Sequence, residues 1–271
     1  MKKPKVCVLR TAGTNCDRET AFAFEKAGAE AQFVHINRLV AGLDMLGDYQ
    51  ILALPGGFSY GDDVAAGKIL ANELRYKLSG ELKKFIADGK LIIGICNGFQ
   101  ILVKSGLLPG NEELKQEASL IINDSGKFED RWVYLKSSVV RRPSSVECVW
   151  TKGLPEVIYL PVAHGEGKFI TQDNDVLKRL ETRGQIVFSY CAADGSAADY
   201  PDNPNGSTEA IAGICDETGR ILGLMPHPER HISSLEHPRR MHKINQAAGD
   251  GLQIFYNGVD YIRRNFKGEA R

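Results

Sequence analysis

The first half of the chain alternates short, wholly apolar segments with segments whose apolar residues recur at helical spacing. The predicted strands are Val6–Leu9, Ala31–Ile36, Ile51–Leu54 and Leu91–Ile95. The predicted helices are Asp17–Ala27, Ile69–Ala87 with a break at Gly80, and one that opens at Phe99–Val103. Apolar strands that alternate with helices form a parallel sheet that is covered on both faces. We therefore predict a three-layer α/β fold with a mostly parallel central sheet flanked by helices.

The second half is less regular but continues the series of strands. The predicted strands are Ser119–Asn123, Trp132–Val140, Val157–Val162, Gln185–Tyr190, Ala210–Cys215 and Ile221–Leu224, of which the second is expected to be antiparallel. A hairpin turn is predicted at Glu217–Gly219, a surface loop at Gly195–Ser207 and a closing amphipathic helix at Leu252–Phe266. Because no internal repeat or low-complexity linker interrupts the chain, we predict a single domain over residues 1–271.

Composition excludes several classes of function. The 271 residues carry 34 Lys and Arg against 34 Asp and Glu, so the chain has no broad positive field to attract nucleic acid or an anionic membrane. No segment approaches the roughly 18 apolar residues of a membrane-spanning helix, and no signal peptide is visible. We therefore predict a cytoplasmic protein without nucleic-acid or membrane partners. The six cysteines lie far apart, and in a reducing compartment we expect no disulfides.

The segment Leu91–Gln100 places a glycine–cysteine–glycine turn between a buried strand and a helix. Such a turn holds a nucleophile in a strained backbone, and glycines two residues before and after it avoid Cβ clashes with neighbouring chain. Cys96 would stand at the carboxyl end of the sheet and at a helix N-terminus, which favours the thiolate. The competing interpretation is that Cys96 is a small buried residue in a tight turn.

A thiol nucleophile needs a base and a group that orients the base. His227 and Glu229 directly follow the predicted strand Ile221–Leu224. Pro228 holds His227 in extended backbone, so these two side chains project to the same side. They would meet Cys96 if the two strands run parallel.

Two other interpretations of this segment are an exposed histidine in a proline-rich turn and a metal site that pairs His227 with His231. We expect no metal, because Glu229 stands two residues after His227 rather than one, as H-E-x-x-H requires. Proline also interrupts the helix on which such a motif would lie.

A glycine-rich segment, Leu54–Asp63, follows the third predicted strand. Consecutive glycines, Gly56 and Gly57, leave backbone N–H groups unshielded, as an oxyanion hole requires. A phosphate cradle is the alternative, but the Walker pattern G-x-x-x-x-G-K-[ST] does not occur in the sequence. His164–Lys168 has two glycines but lacks the third glycine of a dinucleotide-binding motif. The chain therefore shows no visible nucleotide site.

Five segments together resemble the class I glutamine amidotransferases. They are Thr14–Asp17, Leu54–Asp62, Gly94–Gln100, Pro161–Phe169 and Pro226–Arg230. Within that family, the N-C-D, G-G-F-S-Y-G-D and H-G-E-G sequences are similar to those of the glutaminase subunits of phosphoribosylformylglycinamidine synthase in purine biosynthesis. The similarity runs from about Val6 to the final helix and implies a flavodoxin-like fold.

This resemblance implies a Cys-His-Glu triad in which Cys96 is the nucleophile, His227 the base and Glu229 the carboxylate that orients the base. The oxyanion donors would be the backbone N–H groups of Asn97 and of Gly57 or Phe58. The family's position for holding glutamine falls on Gln100. Two further residues would line the same pocket, His164 and Gly165.

The resemblance also implies partners. Ammonia released from glutamine would pass through an internal channel to a synthetase subunit of the same enzyme, and a small bridging subunit would complete the assembly. The synthetase would bind ATP and magnesium and convert formylglycinamide ribonucleotide to formylglycinamidine ribonucleotide. We expect no cofactor on this chain, in agreement with the missing phosphate loop.

Three alternative functions stay open at this point. The first is a class I amidotransferase that serves another acceptor. The second is a stand-alone cysteine hydrolase of related fold, such as a γ-glutamyl hydrolase or a peptidase, which would be active without a partner. The third is a non-catalytic scaffold subunit, in which Cys96 would react with alkylating reagents no faster than the other cysteines.

The segment between Arg230 and the final helix, His231–Gly249, is longer than in compact members of the family. We favour a solvated excursion. The alternative is a docking surface for the synthetase that uses Arg239, Arg240 and Lys243. Alanine replacement of these three residues tests this hypothesis, because unchanged co-purification with the synthetase would remove it.

Overall fold

The computed structural model describes residues 3–111, 113–137, 146–239 and 248–266. The strands in these ranges are β1 Lys5–Arg10, β2 Glu30–His35, β3 Ile51–Leu54, β4 Leu91–Ile95, β5 Ala118–Ile121, β6 Glu129–Ser137, β7 Val157–His164, β8 Lys168–Thr171, β9 Ile186–Cys191, β10 Ile211–Cys215 and β11 Ile221–Leu224. The α-helices are α1 Asp17–Lys26, α2 Ile36–Val40, α3 Lys68–Lys77, α4 Ser79–Ala87, α5 Asn97–Lys104, α6 Asn174–Arg183 and α7 Leu252–Asn265.

Nine strands form one sheet in the order β2-β1-β3-β4-β11-β10-β9-β6-β7, and β5 pairs separately with β8. Every pair from β2 to β11 is parallel, whereas every pair from β11 to β7 is antiparallel. The parallel part has the strand order of flavodoxin-like folds. The predicted fold class and the predicted hairpin between β10 and β11 are confirmed, and an antiparallel extension is added to the sheet.

The three parallel strands at the centre of the sheet, β3, β4 and β11, are apolar along their whole length because they are covered on both faces. All residues of β3, β4 and β11 are buried. Helix α5 packs against these three strands, and α1 packs against α7. Phe24 of α1 makes edge-to-face contacts with Phe255 at 4.9 Å and with Trp150 at 6.5 Å between ring centroids. Such contacts between large aromatic rings stabilise the packing beyond the area they bury.

Two predictions about local structure are wrong in part. The helical segment 69–87 breaks at Leu78, where φ is −124°, and not at Gly80, which lies inside α4. The end of the predicted surface loop is buried, because Asn205 and Ser207 hydrogen-bond to each other and to the carbonyl oxygen of Gly167. Satisfied polar groups of this kind allow loop residues to be buried.

The described helices include none that combines the length and the apolar character needed to cross a membrane.

In the segment proposed for docking, Arg239 is exposed and its backbone N–H donates to Nδ1 of His237 at 2.9 Å. Arg240 and Lys243 lie outside the described residues, as does the end of the strand predicted to reach Val140. The docking hypothesis therefore stays a prediction.

We expect Gly98→Ala to destabilise the fold, because a Cβ atom at Gly98 would lie 1.9 Å from the carbonyl oxygen of Leu54. The free energy of unfolding should fall by about 1–3 kcal/mol, as in other overpacked interiors. Gly80→Ala is the matched control, since a Cβ atom there has no neighbour within 4 Å. Its higher helix propensity should raise the free energy of unfolding by about 0.5–1 kcal/mol. Denaturant titrations that shift both variants in the same direction would contradict this account.

Candidate active site

The predicted nucleophile and base follow neighbouring parallel strands. Ile95 of β4 is in register with Leu224 of β11, so Cys96 and His227 emerge at the same edge of the sheet. The backbone N–H of Cys96 donates to the Leu224 carbonyl at 2.8 Å, and the backbone N–H of His227 donates to the Pro161 carbonyl of β7 at 2.8 Å. The parallel arrangement on which the sequence prediction depended is confirmed.

The turn at Cys96 has the strained backbone of a nucleophile elbow. Cys96 adopts φ 52° and ψ −106° immediately before α5, and its side chain is 6% exposed. A Cβ atom on Gly94 would lie 2.5 Å from the Gly98 carbonyl oxygen, and one on Gly98 would meet Leu54. Both glycines are therefore needed for the close passage of the chain around the thiol. A non-glycine residue with positive φ costs about 1–3 kcal/mol and is concentrated at functional sites.

His227 and Glu229 form a buried pair. Nδ1 of His227 lies 2.6 Å from Oε1 of Glu229, and both residues are 2% exposed. Burial alone would lower the pKa of His227. The Glu229 carboxylate and the Cys96 sulfur outweigh burial and raise the pKa of His227 well above its usual value. The pair therefore has the carboxylate–imidazole arrangement that orients a general base.

Gly56 keeps open the space in which the thiol and the imidazole meet. A Cβ atom on Gly56 would lie 2.8 Å from Cε1 of His227 and 3.5 Å from Cβ of Cys96. The two side chains thus face each other across this glycine. Nε2 of His227 is buried and has no hydrogen-bond acceptor or donor among the described residues. It is the imidazole atom that can exchange a proton with the thiol or with a substrate.

The structure distinguishes the two candidate oxyanion donors on the glycine loop. The backbone N–H of Phe58 donates to the Gly13 carbonyl at 2.9 Å, which excludes it as an oxyanion donor in this conformation. The N–H of Gly57 has no acceptor within the described ranges, and φ at Gly57 is 144°. The N–H of Asn97 lies in the first turn of α5, where helical N–H groups lack intrahelical partners. Gly57 and Asn97 are therefore the available donors.

Gln100, predicted to help hold glutamine, is engaged within the protein. Its Nε2 donates to the Glu166 carbonyl at 2.6 Å, and its Oε1 accepts from Nδ2 of Asn97 at 2.9 Å. Oδ1 of Asn97 accepts from the Ser59 backbone N–H at 3.1 Å. Both ends of the Gln100 amide are thus used to hold two loops against α5, and contact with glutamine stays a prediction.

His164 lies in the same region as a neutral imidazole. Its Nδ1 is 3.2 Å from Oδ1 of Asn123, which also accepts from the Gly167 N–H at 2.9 Å. Burial, assisted by the nearby His227, lowers the pKa of His164 to about 3. Gly165 accepts a backbone hydrogen bond from Asn123 at 3.0 Å. Asn123 thus fixes the segment, a role that no sequence pattern indicated.

The structure also brings a second cysteine to the site. Cys16 follows β1 at the N-terminus of α1, is 1% exposed, and its Sγ lies 3.1 Å from Nη2 of Arg230. One donor atom each from Cys16, His227 and Glu229 lie within 4.8 Å of one another. Sequence reasoning did not assign Cys16 to the site. The available signal was its position after a strand that ends at the same sheet edge.

Comparison with known proteins agrees with this geometry. A sequence profile of the CobB/CobQ-like glutamine amidotransferase domain matches residues 3–262. The phosphoribosylformylglycinamidine synthase subunit PurQ of Dehalococcoides mccartyi is 49% identical over 265 residues, which cover 97% of this chain and 100% of that protein. The subunit of the same name from Archaeoglobus fulgidus is 43% identical over 96% of this chain and 97% of its own length.

Solved structures are also similar to this chain. A chain in the structure of PurLQS from Thermotoga maritima matches with a TM-score of 0.72 at 34% identity, covering 96% of this chain and 99% of that one. A glutamine amidotransferase from Thermotoga maritima has a TM-score of 0.51 at 15% identity, covering 99% of this chain and 95% of that one. The second similarity concerns the fold alone.

The raised pKa of His227 predicts a pH-dependent contribution to stability. The native state holds a proton on His227 at pH values where the unfolded chain, with a pKa of about 6.5, has lost it. This stabilisation is complete below pH ~6.5 and is lost as the pH rises through the native pKa. We expect Glu229→Gln to lower the native pKa and flatten this slope. Glu25→Gln, at an exposed position of α1, is the control.

Two measurements check this expectation. NMR of the His227 Cε1–H resonance gives the native pKa, and urea titrations at several pH values give the slope of the unfolding free energy. A wild-type His227 that titrates at or below 6.5, or that is unaffected by Glu229→Gln, would show that the carboxylate does not hold the proton on the imidazole.

Proposed function

The chain belongs to the CobB/CobQ-like glutamine amidotransferases, and we propose that it is the glutaminase subunit of phosphoribosylformylglycinamidine synthase. The observation that carries the proposal is the meeting of Cys96 with the His227–Glu229 pair across Gly56. This geometry occurs in a chain that is 49% identical, over 97% of its length, to a subunit of that name. The activity is the hydrolysis of glutamine to glutamate and ammonia.

The first half of the reaction forms a thioester. The Cys96 sulfur attacks the side-chain amide carbon of glutamine, and the developing oxyanion is stabilised by the N–H groups of Gly57 and Asn97. His227 holds the proton of the Cys96 thiol and gives it to the departing nitrogen, so that ammonia leaves. The γ-glutamyl group stays on Cys96. Glu229 holds the imidazole in position through its hydrogen bond to Nδ1.

The second half releases glutamate. Water attacks the thioester with His227 as general base, the C–S bond breaks, and the sulfur of Cys96 recovers its starting state. Gln100, His164 and Gly165 belong to the same proposal as pocket residues. The structure supports this role, because hydrogen bonds from Gln100 and Asn123 hold the loop that contains His164 and Glu166 beside the triad.

The partners follow from the same assignment. The chain passes ammonia to the synthetase subunit of the enzyme, which converts formylglycinamide ribonucleotide to formylglycinamidine ribonucleotide, and a small bridging subunit joins the assembly. The PurLQS structure, which contains a similar chain, supports this arrangement. Free ammonia would be protonated in bulk water, and ammonium is not a nucleophile, so a protected path between the subunits is required.

We further propose that this chain works without a cofactor and that ATP and magnesium bind to the synthetase. Cys96 and the His227–Glu229 pair account for each proton and bond in glutamine hydrolysis without a bound group. We also assign the chain to the cytoplasm. Its six cysteines are free thiols, and a reducing compartment keeps the nucleophile and the buried cysteines in that state.

We expect Cys96→Ala and Cys96→Ser to lower glutamine-dependent turnover of the reconstituted complex by several orders of magnitude, because the nucleophile is removed. Turnover with ammonium salts should be unchanged, because the synthetase site is intact. Cys191→Ser, which changes a buried thiol outside the site, should leave both activities unchanged. Full glutaminase activity in Cys96→Ala would refute the nucleophile assignment.

Glutamine hydrolysis by the chain alone, and again with the synthetase, the bridging subunit, ATP and the ribonucleotide substrate, tests the subunit assignment. Strong stimulation in the complete mixture is expected. High turnover without any partner would favour a stand-alone hydrolase. Stimulation by a synthetase that uses another acceptor, but not by this one, would favour a different amidotransferase.

A further inference from the structure

The proposed chemistry leaves one cysteine of the active site unused. Cys16 is 1% exposed, and its sulfur contacts Nη2 of Arg230 at 3.1 Å and Oδ1 of Asn15 at 3.0 Å. The sulfur also lies against the open space over Gly56, because a Cβ atom on Gly56 would be 3.1 Å from it.

That space is bordered by the catalytic pair as well. The same point over Gly56 is 2.8 Å from Cε1 of His227 and 3.5 Å from Cβ of Cys96. The sulfurs of Cys16 and Cys96 are both near enough to the imidazole to raise its pKa. Both sulfurs therefore lie near the imidazole, and the Cys16 sulfur and the imidazole border a small volume from which a side chain is absent.

The orientation of the His227 imidazole leaves Nε2 available to bind a ligand in this volume. Nε2 of His227 and Oε2 of Glu229 are buried and have no hydrogen-bond partner among the described residues. Nδ1 of His227 is paired with Oε1 of Glu229 at 2.6 Å. Histidines that bind metals through one nitrogen usually donate the other N–H to a carboxylate, which orients the ring and increases its basicity.

We propose that the sulfurs of Cys16 and Cys96 and Nε2 of His227 form a site for a thiophilic divalent cation such as zinc, and that occupation of this site stops glutamine hydrolysis. Two thiolates and one imidazole are a donor set that zinc prefers. Binding releases the protons that the two thiols and Nε2 of His227 hold, and no oxidation or reduction takes place. The inhibition, but not the binding, rests on the proposed glutaminase function.

Binding requires the side chains that carry the donor atoms to move toward the metal. Donor atoms of Cys16, His227 and Glu229 lie within 4.8 Å of one another. Metal–ligand bonds of roughly 2.0–2.3 Å place neighbouring donors less than ~4 Å apart, so the donors of Cys16 and His227 must approach by up to about 1 Å. The Cys96 sulfur, which lies 3.7 Å from the Ala163 carbonyl oxygen, must turn from that oxygen toward the metal. The Arg230 guanidinium would give up its contact with the Cys16 sulfur to the metal. Cys16 is thus the residue that adds a second thiolate to an ordinary cysteine–histidine pair.

The binding experiment uses the full chain with a phosphine reductant, which keeps the thiols reduced and leaves the metal free. Cobalt(II) serves as the spectroscopic probe, and zinc is used to displace it. We expect one equivalent of cobalt to bind with a thiolate-to-cobalt absorption band. Cys16→Ser should weaken binding tenfold or more, whereas Cys191→Ser, the matched buried cysteine, should not change it. Equal affinity in the wild type and Cys16→Ser, or the absence of the thiolate band, would overturn the proposal.

Two further measurements separate this inference from the proposed function. In the glutaminase assay, with inhibition expressed relative to each enzyme's own turnover without zinc, Cys16→Ser should need at least tenfold more zinc for half-inhibition than the wild type. A chain that binds cobalt as predicted but hydrolyses no glutamine would refute the function and leave the metal site standing. X-ray absorption spectroscopy of the wild-type zinc complex counts the sulfur ligands of the metal, and so tests the site even if Cys16→Ser does not fold. It should show two sulfur ligands, and a single sulfur would refute the site.

Discussion

The parallel pairing of β4 with β11 is the constraint on which the active site depends. It places the residues after Ile95 and Leu224 at one edge of the sheet, and the hydrogen bond from the Cys96 N–H to the Leu224 carbonyl fixes their relative height. A one-residue slip in this register would turn each side chain to the opposite face. The Pro161 carbonyl of β7 then holds the His227 backbone, so the far end of the sheet also contributes to the site.

Once the strands are paired, the site depends on glycines, which have no side chain, as much as on the side chains of Cys96 and His227. Gly94 and Gly98 let the chain pass around Cys96, and Gly56 leaves open the volume that the His227 imidazole, the Cys16 sulfur and Cβ of Cys96 border. These close approaches explain why the strained backbone of Cys96 persists. The surrounding packing allows no relaxed alternative for the turn, and such strain is stable only where the neighbouring structure determines it.

The strands other than β8, the helices other than α2 and α6, and the candidate site residues Cys96, His227 and Glu229 were predictable because their signals are local. Apolar runs mark β3, β4 and β11, Cys96 directly follows β4, and His227 and Glu229 lie in the short segment after β11. The choice of Gly57 over Phe58 was not predictable, because it depends on a hydrogen bond from Phe58 to Gly13 between loops that follow different strands. Cys16 was missed for the same reason, since its contact with Arg230 exists only after β1 and β11 share a sheet. Tertiary contacts of this kind leave no periodic trace in the sequence.

The two buried histidines near the thiol show how one pocket sets two different protonation states. His227 faces a carboxylate, which raises its pKa, whereas His164 faces the amide of Asn123, and burial lowers its pKa to about 3. A charged His164 would stand beside the imidazolium of His227 and repel it. Because His164 stays neutral, the positive charge is confined to the imidazole that faces Cys96. Neighbouring titratable groups whose environments separate their pKa values take different roles in acid–base chemistry, and here only His227 is equipped to exchange the proton.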